Sequence, residues 1–137
     1  MTEPESADRR PSHRTEVSVR SYELDSFGHV NHAVFLNYFE YARFQTLEAA
    51  GFPPAALMAD GMGIHVVRVE VDYKREAMLG QQLVIETTLA EIRNSSMTLA
   101  QVARHGDQVL ALARVVVVWI GRDGRPTRIP DDVRAAL

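Results

Sequence analysis

Cysteine is absent from this 137-residue sequence. Its absence excludes a disulfide framework, a thiolate metal site and a thiol nucleophile. An excess of positive charge is also lacking, because 15 Lys and Arg stand against 18 Asp and Glu, which gives a formal net charge of -3. Binding to a nucleic-acid backbone needs a concentrated basic surface. The composition therefore argues against a general nucleic-acid binder and fits a reducing compartment.

The sequence also has no segment with the pattern of a signal peptide or of a membrane-spanning helix. The first dozen residues are polar and hold no apolar segment of the kind that a signal peptide needs. We therefore predict a disordered tail over residues 1–13 and a cytoplasmic location. The longest apolar run, residues 109–120, is interrupted at Arg114 and is too short to cross a bilayer. We expect no association with a membrane.

A chain of this length predicts one domain, residues 14–137, built around a single hydrophobic core. Its longest helical pattern covers residues 33–50 and stops before Gly51, a residue suited to the left-handed conformation that ends many helices. Only Asn37, Glu40 and Glu48 form a clearly polar stripe on this helix. The pattern predicts a helix that is covered on most of its sides.

The rest of the chain has the patterns of strands and turns. An extended lead-in precedes the helix, and four stretches after it have strand composition: residues 64–73, 83–89, 97–104 and 109–120. Alternation in the first of these predicts one covered face, whereas the almost continuous apolar run of the last predicts burial on both faces.

Prolines mark two further segments. Residues 52–55 are predicted to form a loop, and Pro130 is predicted to start a short final helix. The order of elements predicts an α+β fold, in which an antiparallel sheet curls around one long central helix and a partner subunit covers part of the last strand.

The turn before the helix, residues 23–32, carries the run Asp-x-x-Gly-His-Val-Asn at a strand-to-helix junction. From about residue 17 to the C-terminus the sequence resembles the hotdog-fold acyl-CoA thioesterases of the 4-hydroxybenzoyl-CoA thioesterase-like family. The residues that carry this resemblance are Tyr22, Asp25, Gly28, His29, Val30, Asn31, Tyr38, Phe39, Glu40, Ala42, Arg43, Val71, Asp72, Tyr73, Gly80, Ser95, Ser96, Ile129 and Pro130. The chain departs from the family at His32, because some relatives have Val-Val-Tyr-His there, others His-Val-Asn-Asn, and this chain has His-Val-Asn-His.

The resemblance implies an enzyme that hydrolyses acyl thioesters of coenzyme A or of acyl carrier protein without a metal or cofactor. It also implies a homodimer or homotetramer with active sites at the subunit interface. Asp25 matches the catalytic carboxylate of the family, and backbone amides around His32 match the groups that polarise the thioester carbonyl. His32 is a second catalytic candidate. The substrate-binding candidates are Gly28, His29, Val30, Asn31 and Phe35.

Physical chemistry also supports a catalytic role for this turn. Thioester hydrolysis passes through a tetrahedral oxyanion, and the N–H groups and dipole of a helix N-terminus stabilise such a charge. Gly28 lets backbone and substrate approach closely. The carboxylate of Asp25 is then placed either to attack the carbonyl or to activate a water molecule.

The same residues have structural interpretations. An Asp between a strand and a helix most often caps a turn, although Asn31 is a good N-cap candidate and leaves Asp25 without that task. His29 and His32 form no recognised metal pattern with Asp25, so we expect no metal. Phe35 belongs either to the core or to an acyl-binding wall. The residues that hold the coenzyme A phosphates are open among Arg68, Lys74, Arg75, Arg93 and Arg104.

Two other functions are open at this point. A non-catalytic acyl-CoA-binding protein would keep the fold and the pocket. A hotdog dehydratase would need a histidine in an Asp-x-Asn-x-x-His arrangement, which the Asp-Ser-Phe-Gly of residues 25–28 does not supply. Acyl chain length, aromatic or aliphatic preference and the carrier are open as well.

Overall fold

The computed structural model describes residues 1–3 and 12–137. Most of the predicted tail, residues 4–11, lies outside the described residues. The first strand begins at His13, one residue before the predicted start of the domain. No helix in the described ranges is long and apolar enough to cross a membrane.

One antiparallel sheet of five strands forms the body of the protein, in the order β1-β3-β4-β5-β2. The strands are β1 His13–Ser18, β2 Gly63–Tyr73, β3 Gln82–Ile92, β4 Ser96–His105 and β5 Gln108–Ile120. Tight turns join β3 to β4 and β4 to β5, whereas β2 has β5 as its single neighbour among the described strands and forms one edge. The predicted α+β class and antiparallel sheet are confirmed.

The central helix α1 covers His32–Ala49. The Asn31 side chain caps it by accepting a hydrogen bond of 2.8 Å from the backbone N–H of Ala33. Gly51 follows its end with a φ of 94°, a left-handed conformation that glycine adopts without steric cost. Both predicted ends of the helix are thus confirmed to within one residue.

The sheet covers only one face of α1, because the helix lies closest to β1 and β3. The buried face presents Phe35, Tyr38, Phe39, Ala42, Arg43 and Leu47 to the sheet. On the other sides, Leu36, Tyr41 and Phe44 keep 41% to 49% of their surface exposed. The prediction of a helix covered on most sides is therefore wrong for a single chain.

Strand β2 has an apolar face that its own chain leaves open. Val66 and Val69 lie opposite Val117 and Val115 of β5, and opposite residues of an antiparallel pair point to the same face. The β5 residues are buried, yet Val66 and Val69 are 46% and 41% exposed because α1 packs mainly against β1 and β3 and leaves this part of β2 uncovered. A bulge between Val66 and Arg68 also takes Val67 out of the expected alternation. The predicted covered face of β2 is thus wrong within one chain.

Strand β5 is buried fully on one face and only in part on the other. Its inner face holds Ala111, Ala113, Val115, Val117 and Trp119, all buried. On the outer face Arg114 is exposed and Val116 and Val118 are half-buried. The prediction that β5 is buried on both faces is therefore wrong for Arg114, Val116 and Val118 in a single chain.

Two short α-helices and the 3₁₀ helix Ser21–Glu23 complete the fold of the described residues. Helix α2, Pro54–Ala59, begins inside the segment predicted as a loop, because Pro54 occupies the first helical turn, where the missing N–H of proline costs no hydrogen bond. Helix α3, Asp131–Ala136, follows Pro130 as predicted.

Candidate active site

A cavity of about 270 Å³ opens where the N-terminus of α1 meets the end of β2. Its wall combines carboxylates, histidines, two cations and aromatic rings. The lining residues are Asp25, His29, Val30, His32, Phe35, Tyr73, Lys74, Arg75 and Glu76. The turn before α1 supplies the first three and α1 the next two, and the last four come from the end of β2 and the residues just after it.

Asp25 closes the turn in which it lies. Its N–H donates to the carbonyl of His29 at 2.8 Å, and its Oδ1 accepts from the N–H of Phe27 at 2.9 Å and of His29 at 3.4 Å. Gly28 has a φ of 88°, which keeps the turn tight. The structural interpretation of Asp25 as a turn residue therefore holds for Oδ1. Its second oxygen, Oδ2, lies 3.5 Å from Nδ1 of His29.

The N-terminus of α1 has a backbone donor at His32, a residue that lines the cavity. Asn31 accepts from the N–H of Ala33 through its side chain and from the N–H of Val34 through its carbonyl, at 2.8 and 2.9 Å. Among the described residues, no group accepts a hydrogen bond from the N–H of His32. This N–H and the helix dipole are suited to a carbonyl oxygen that gains negative charge.

Tyr73 connects the end of β2 to this helix terminus. Its hydroxyl donates a hydrogen bond of 2.6 Å to the carbonyl of His32, and its ring stands edge-on to those of His32 and Phe35. Burial raises the pKa of Tyr73, so the hydroxyl stays a donor at neutral pH. The contact fixes the mutual position of α1 and β2 at the cavity.

The buried carboxylate of Glu23 holds the turn before α1 in place. Glu23 is only 6% exposed, and it accepts hydrogen bonds of 2.8 Å from the N–H and guanidinium of Arg20 and from the hydroxyl of Tyr38. Its carbonyl accepts from the N–H of Asn31 at 2.9 Å. Burial alone would raise the pKa of Glu23, but the hydrogen bonds from Arg20 and Tyr38 outweigh it and lower that pKa. Glu23 therefore holds the turn against α1.

The structure gathers most of the predicted site residues in one place. Asp25, His29, Val30, His32 and Phe35 all line the cavity. Gly28 and Asn31 do not line it, because Gly28 shapes the turn and Asn31 caps the helix.

Sequence reasoning missed the contribution of β2 to the site. Tyr73 belonged to a motif of the resemblance, and Lys74 and Arg75 were among the basic candidates, but nothing in the pattern pointed to Glu76. The described residues contain no cluster of three or more His, Asp or Glu that could hold a metal ion.

The sequence is similar to those of known thioesterases. The thioesterase-like superfamily matches residues 19–137. The long-chain acyl-CoA thioesterase FadM of Escherichia coli is 33% identical over 109 residues, which cover 78% of this chain and 82% of FadM. The acyl-CoA thioesterase YbgC of Haemophilus influenzae is 30% identical over 123 residues, 88% of this chain and 90% of that protein.

Solved structures agree with the fold. A probable thioesterase from Bartonella henselae superposes with a TM-score of 0.85 at 27% identity, over 88% of this chain and all of that one. The sequence prediction of a hotdog fold is thereby confirmed.

Two chloroplast acyl-acyl carrier protein thioesterases of Arabidopsis thaliana are also similar in sequence. They are 27% and 26% identical to this chain, and the chain spans 66% of their length.

Proposed function

The chain belongs to the thioesterase-like superfamily, and from this premise we propose that it hydrolyses acyl thioesters at the cavity beside Asp25 and the N-terminus of α1. The reaction class agrees with the sequence prediction and with the names of relatives such as FadM and YbgC. The products are a free acid and a free thiol.

The catalytic assignment is supported by two residues that line one cavity: Asp25 with its carboxylate, and His32, whose backbone N–H has no acceptor among the described residues. The N–H of His32 polarises the thioester carbonyl and stabilises the oxyanion. Oδ2 of Asp25 attacks the carbonyl or takes a proton from the attacking water, while Oδ1 stays bound to the turn. A single turnover in ¹⁸O-labelled water tests the nucleophilic role, because Asp25 acquires the label when water attacks its own carboxyl carbon in an acyl-Asp25 anhydride, whereas a general base acquires none.

The acyl group occupies the apolar part of the cavity, next to Val30, Phe35 and the ring of Tyr73. Each buried methylene contributes about 0.8 kcal/mol, close to a fourfold gain in binding. We therefore expect kcat/KM to rise from acetyl to octanoyl thioesters until the pocket is full. Lys74 and Arg75 lie at the same cavity and are our candidates for holding the phosphates of coenzyme A.

We propose that the enzyme is a homodimer or a larger homo-oligomer. The open faces of β2 and α1 together expose Val66, Val69, Leu36 and Phe44, a surface that soluble monomers rarely leave uncovered. A long, apolar edge strand is also a ready template for pairing with another chain. Because Tyr73 at the end of the same strand lines the cavity, a second copy placed on β2 comes close to the active site. The cytoplasmic location stays a prediction from sequence.

A panel of acyl thioesters with increasing chain length tests the proposal, with each acyl group offered on coenzyme A and on acyl carrier protein. We expect release of free thiol that rises with chain length. Reversible binding of acyl-CoA without thiol release would contradict hydrolysis and favour the non-catalytic alternative. A rate that is flat or falls from acetyl-CoA to octanoyl-CoA would contradict the apolar acyl pocket.

A further inference from the structure

The imidazole of His29 lies between two carboxylates. Its Nδ1 is 3.5 Å from Oδ2 of Asp25, and its Nε2 is 3.3 Å from Oε1 of Glu76. The side chain of Asp25 is 26% exposed and that of Glu76 is 65% exposed. The three groups therefore lead from the reacting carboxylate to solvent.

We propose that His29 and Glu76 form a proton relay that returns Asp25 to its ionised state after each turnover. This inference rests on the proposed function, with Asp25 as the general base. A base that has taken a proton from water must lose it before it can act again, and an imidazole can accept a proton at one nitrogen and release one from the other.

The proton balance is complete with water as the only co-reactant. Asp25 takes one proton from water as the hydroxide oxygen bonds to the thioester carbon. The tetrahedral intermediate then collapses, the carbon–sulfur bond breaks, and the thiolate leaves and is protonated by solvent. The proton on Oδ2 of Asp25 passes to Nδ1 of His29, and the proton on Nε2 passes through Glu76 to solvent. The imidazole then returns to its Nε2–H tautomer by losing the Nδ1 proton to solvent and taking one from solvent at Nε2.

Local structure holds the imidazole in this position. The backbone N–H of His29 donates to Asp25, and its backbone forms a β-bridge with Met78. The ring of Phe27 stacks against the imidazole, with centroids 6.4 Å apart and planes 16° from parallel. Both gaps exceed the range of about 2.6–3.2 Å for a proton-transferring hydrogen bond, as is common for catalytic groups without bound substrate.

The other charged or titratable groups of the cavity are less suited to this task. The side chains of Lys74 and Arg75 offer hydrogen-bond donors and no acceptor. The ring of His32 stands edge-on to Tyr73, with centroids 6.4 Å apart. His29 is the imidazole that lies within 4 Å of the Asp25 carboxylate in the described part of the chain.

The test compares single-turnover and steady-state rates of His29→Gln and Glu76→Gln on octanoyl-CoA, in dilute buffer and with added imidazole. Glu91→Gln is the matched control, because Glu91 is an exposed glutamate that pairs with Arg93 at 2.8 Å, outside the cavity. We expect both relay variants to keep the single-turnover rate, and to lose on the order of 10-fold in steady-state kcat, below the usual contribution of a direct general base. Imidazole should restore much of that loss, and the control should be unchanged.

Two results would overturn the relay. One is a steady-state kcat in dilute buffer that is unchanged in both variants. The other is an equal fall of single-turnover and steady-state rates that imidazole does not rescue, which would assign His29 and Glu76 a structural role. Failure of the proposed function itself is distinguishable, because the unmodified protein would then release no thiol from any member of the thioester panel.

Discussion

The two sides of α1 both carry large apolar residues but have different surroundings. On the side toward β1 and β3, Phe39 is 1% exposed, whereas Phe44 on the open side is 42% exposed. Both are phenylalanines of one helix, so composition does not distinguish them. The closed side stabilises the single chain, and the open side exposes apolar surface beside β2. An apolar pattern thus predicts a helix but does not show which of its faces its own chain covers.

The largest expected effect is on the closed side of this comparison. Phe39→Ala removes a fully buried ring and should cost about 3–5 kcal/mol of the free energy of unfolding. Phe44→Ala should cost the isolated chain about 0.5 kcal/mol or less, as an exposed position does. Urea denaturation at two protein concentrations checks both, because a loss of dimer contacts in Phe44→Ala would depend on concentration and a core cavity would not. Equal losses would remove the distinction between the two sides.

A smaller effect on the free energy of unfolding is expected from the hydrogen bond between Tyr38 of α1 and the buried carboxylate of Glu23. Tyr38→Phe removes a hydrogen bond to the ionised Glu23, which should cost about 1.5–3 kcal/mol at pH 7. Because the folded pKa of Glu23 is lowered, its contribution is present above its unfolded pKa of about 4.3 and is lost as pH falls through the folded pKa. The difference between the variant and the unmodified protein should therefore shrink below about pH 4.3. A difference in melting temperature that stays constant from pH 7 to pH 3 would contradict this account.

The sequence predicted the elements better than their surroundings. Asn31 and Gly51 carry strong local signals, and both ends of α1 followed from them. The exposure of Val66 and Val69 did not, because it depends on where α1 crosses the sheet. The bulge at Val67 came without a Gly or Pro to mark it.

Some residues of the site are close together in the sequence, and others are brought together only by the tertiary structure. Asp25, His29 and His32 lie within one turn of the chain, so a short motif was enough to find them. Tyr73 and Glu76 reach the cavity only because β2 ends beside the start of α1. Contacts between residues more than 40 positions apart leave no local pattern in one sequence.

The smallest stability effect is expected on the open side. Val69→Lys places a charge on the uncovered face of β2 and should raise the dimer dissociation constant by on the order of 10-fold, about 1.4 kcal/mol. Glu70→Lys is the control, because Glu70 lies opposite the exposed Arg114 on the other face of the same strand. Light scattering and thiol release across a dilution series report assembly and activity together. A monomeric mass for the unmodified protein at micromolar concentration would contradict the proposed dimer.

We propose that the Asp25 carboxylate performs the chemistry as well as closing its turn. Asp25→Asn retains an oxygen to accept from the N–H groups of Phe27 and His29 but removes the charge and basicity. Asp123→Asn is the matched control, because Asp123 also closes a turn, accepting from the N–H of Arg125 at 3.0 Å, away from the cavity. His32→Ala should lower kcat less than Asp25→Asn does, because the backbone N–H of His32 rather than its ring is the expected donor to the thioester carbonyl.

The most direct measurement is therefore kcat for thiol release from octanoyl-CoA by Asp25→Asn, taken together with its melting temperature. We predict a loss of at least about 100-fold in kcat, the low end for removal of a general base, with a melting temperature close to that of the unmodified protein and of Asp123→Asn. A folded Asp25→Asn protein with full activity would contradict the account.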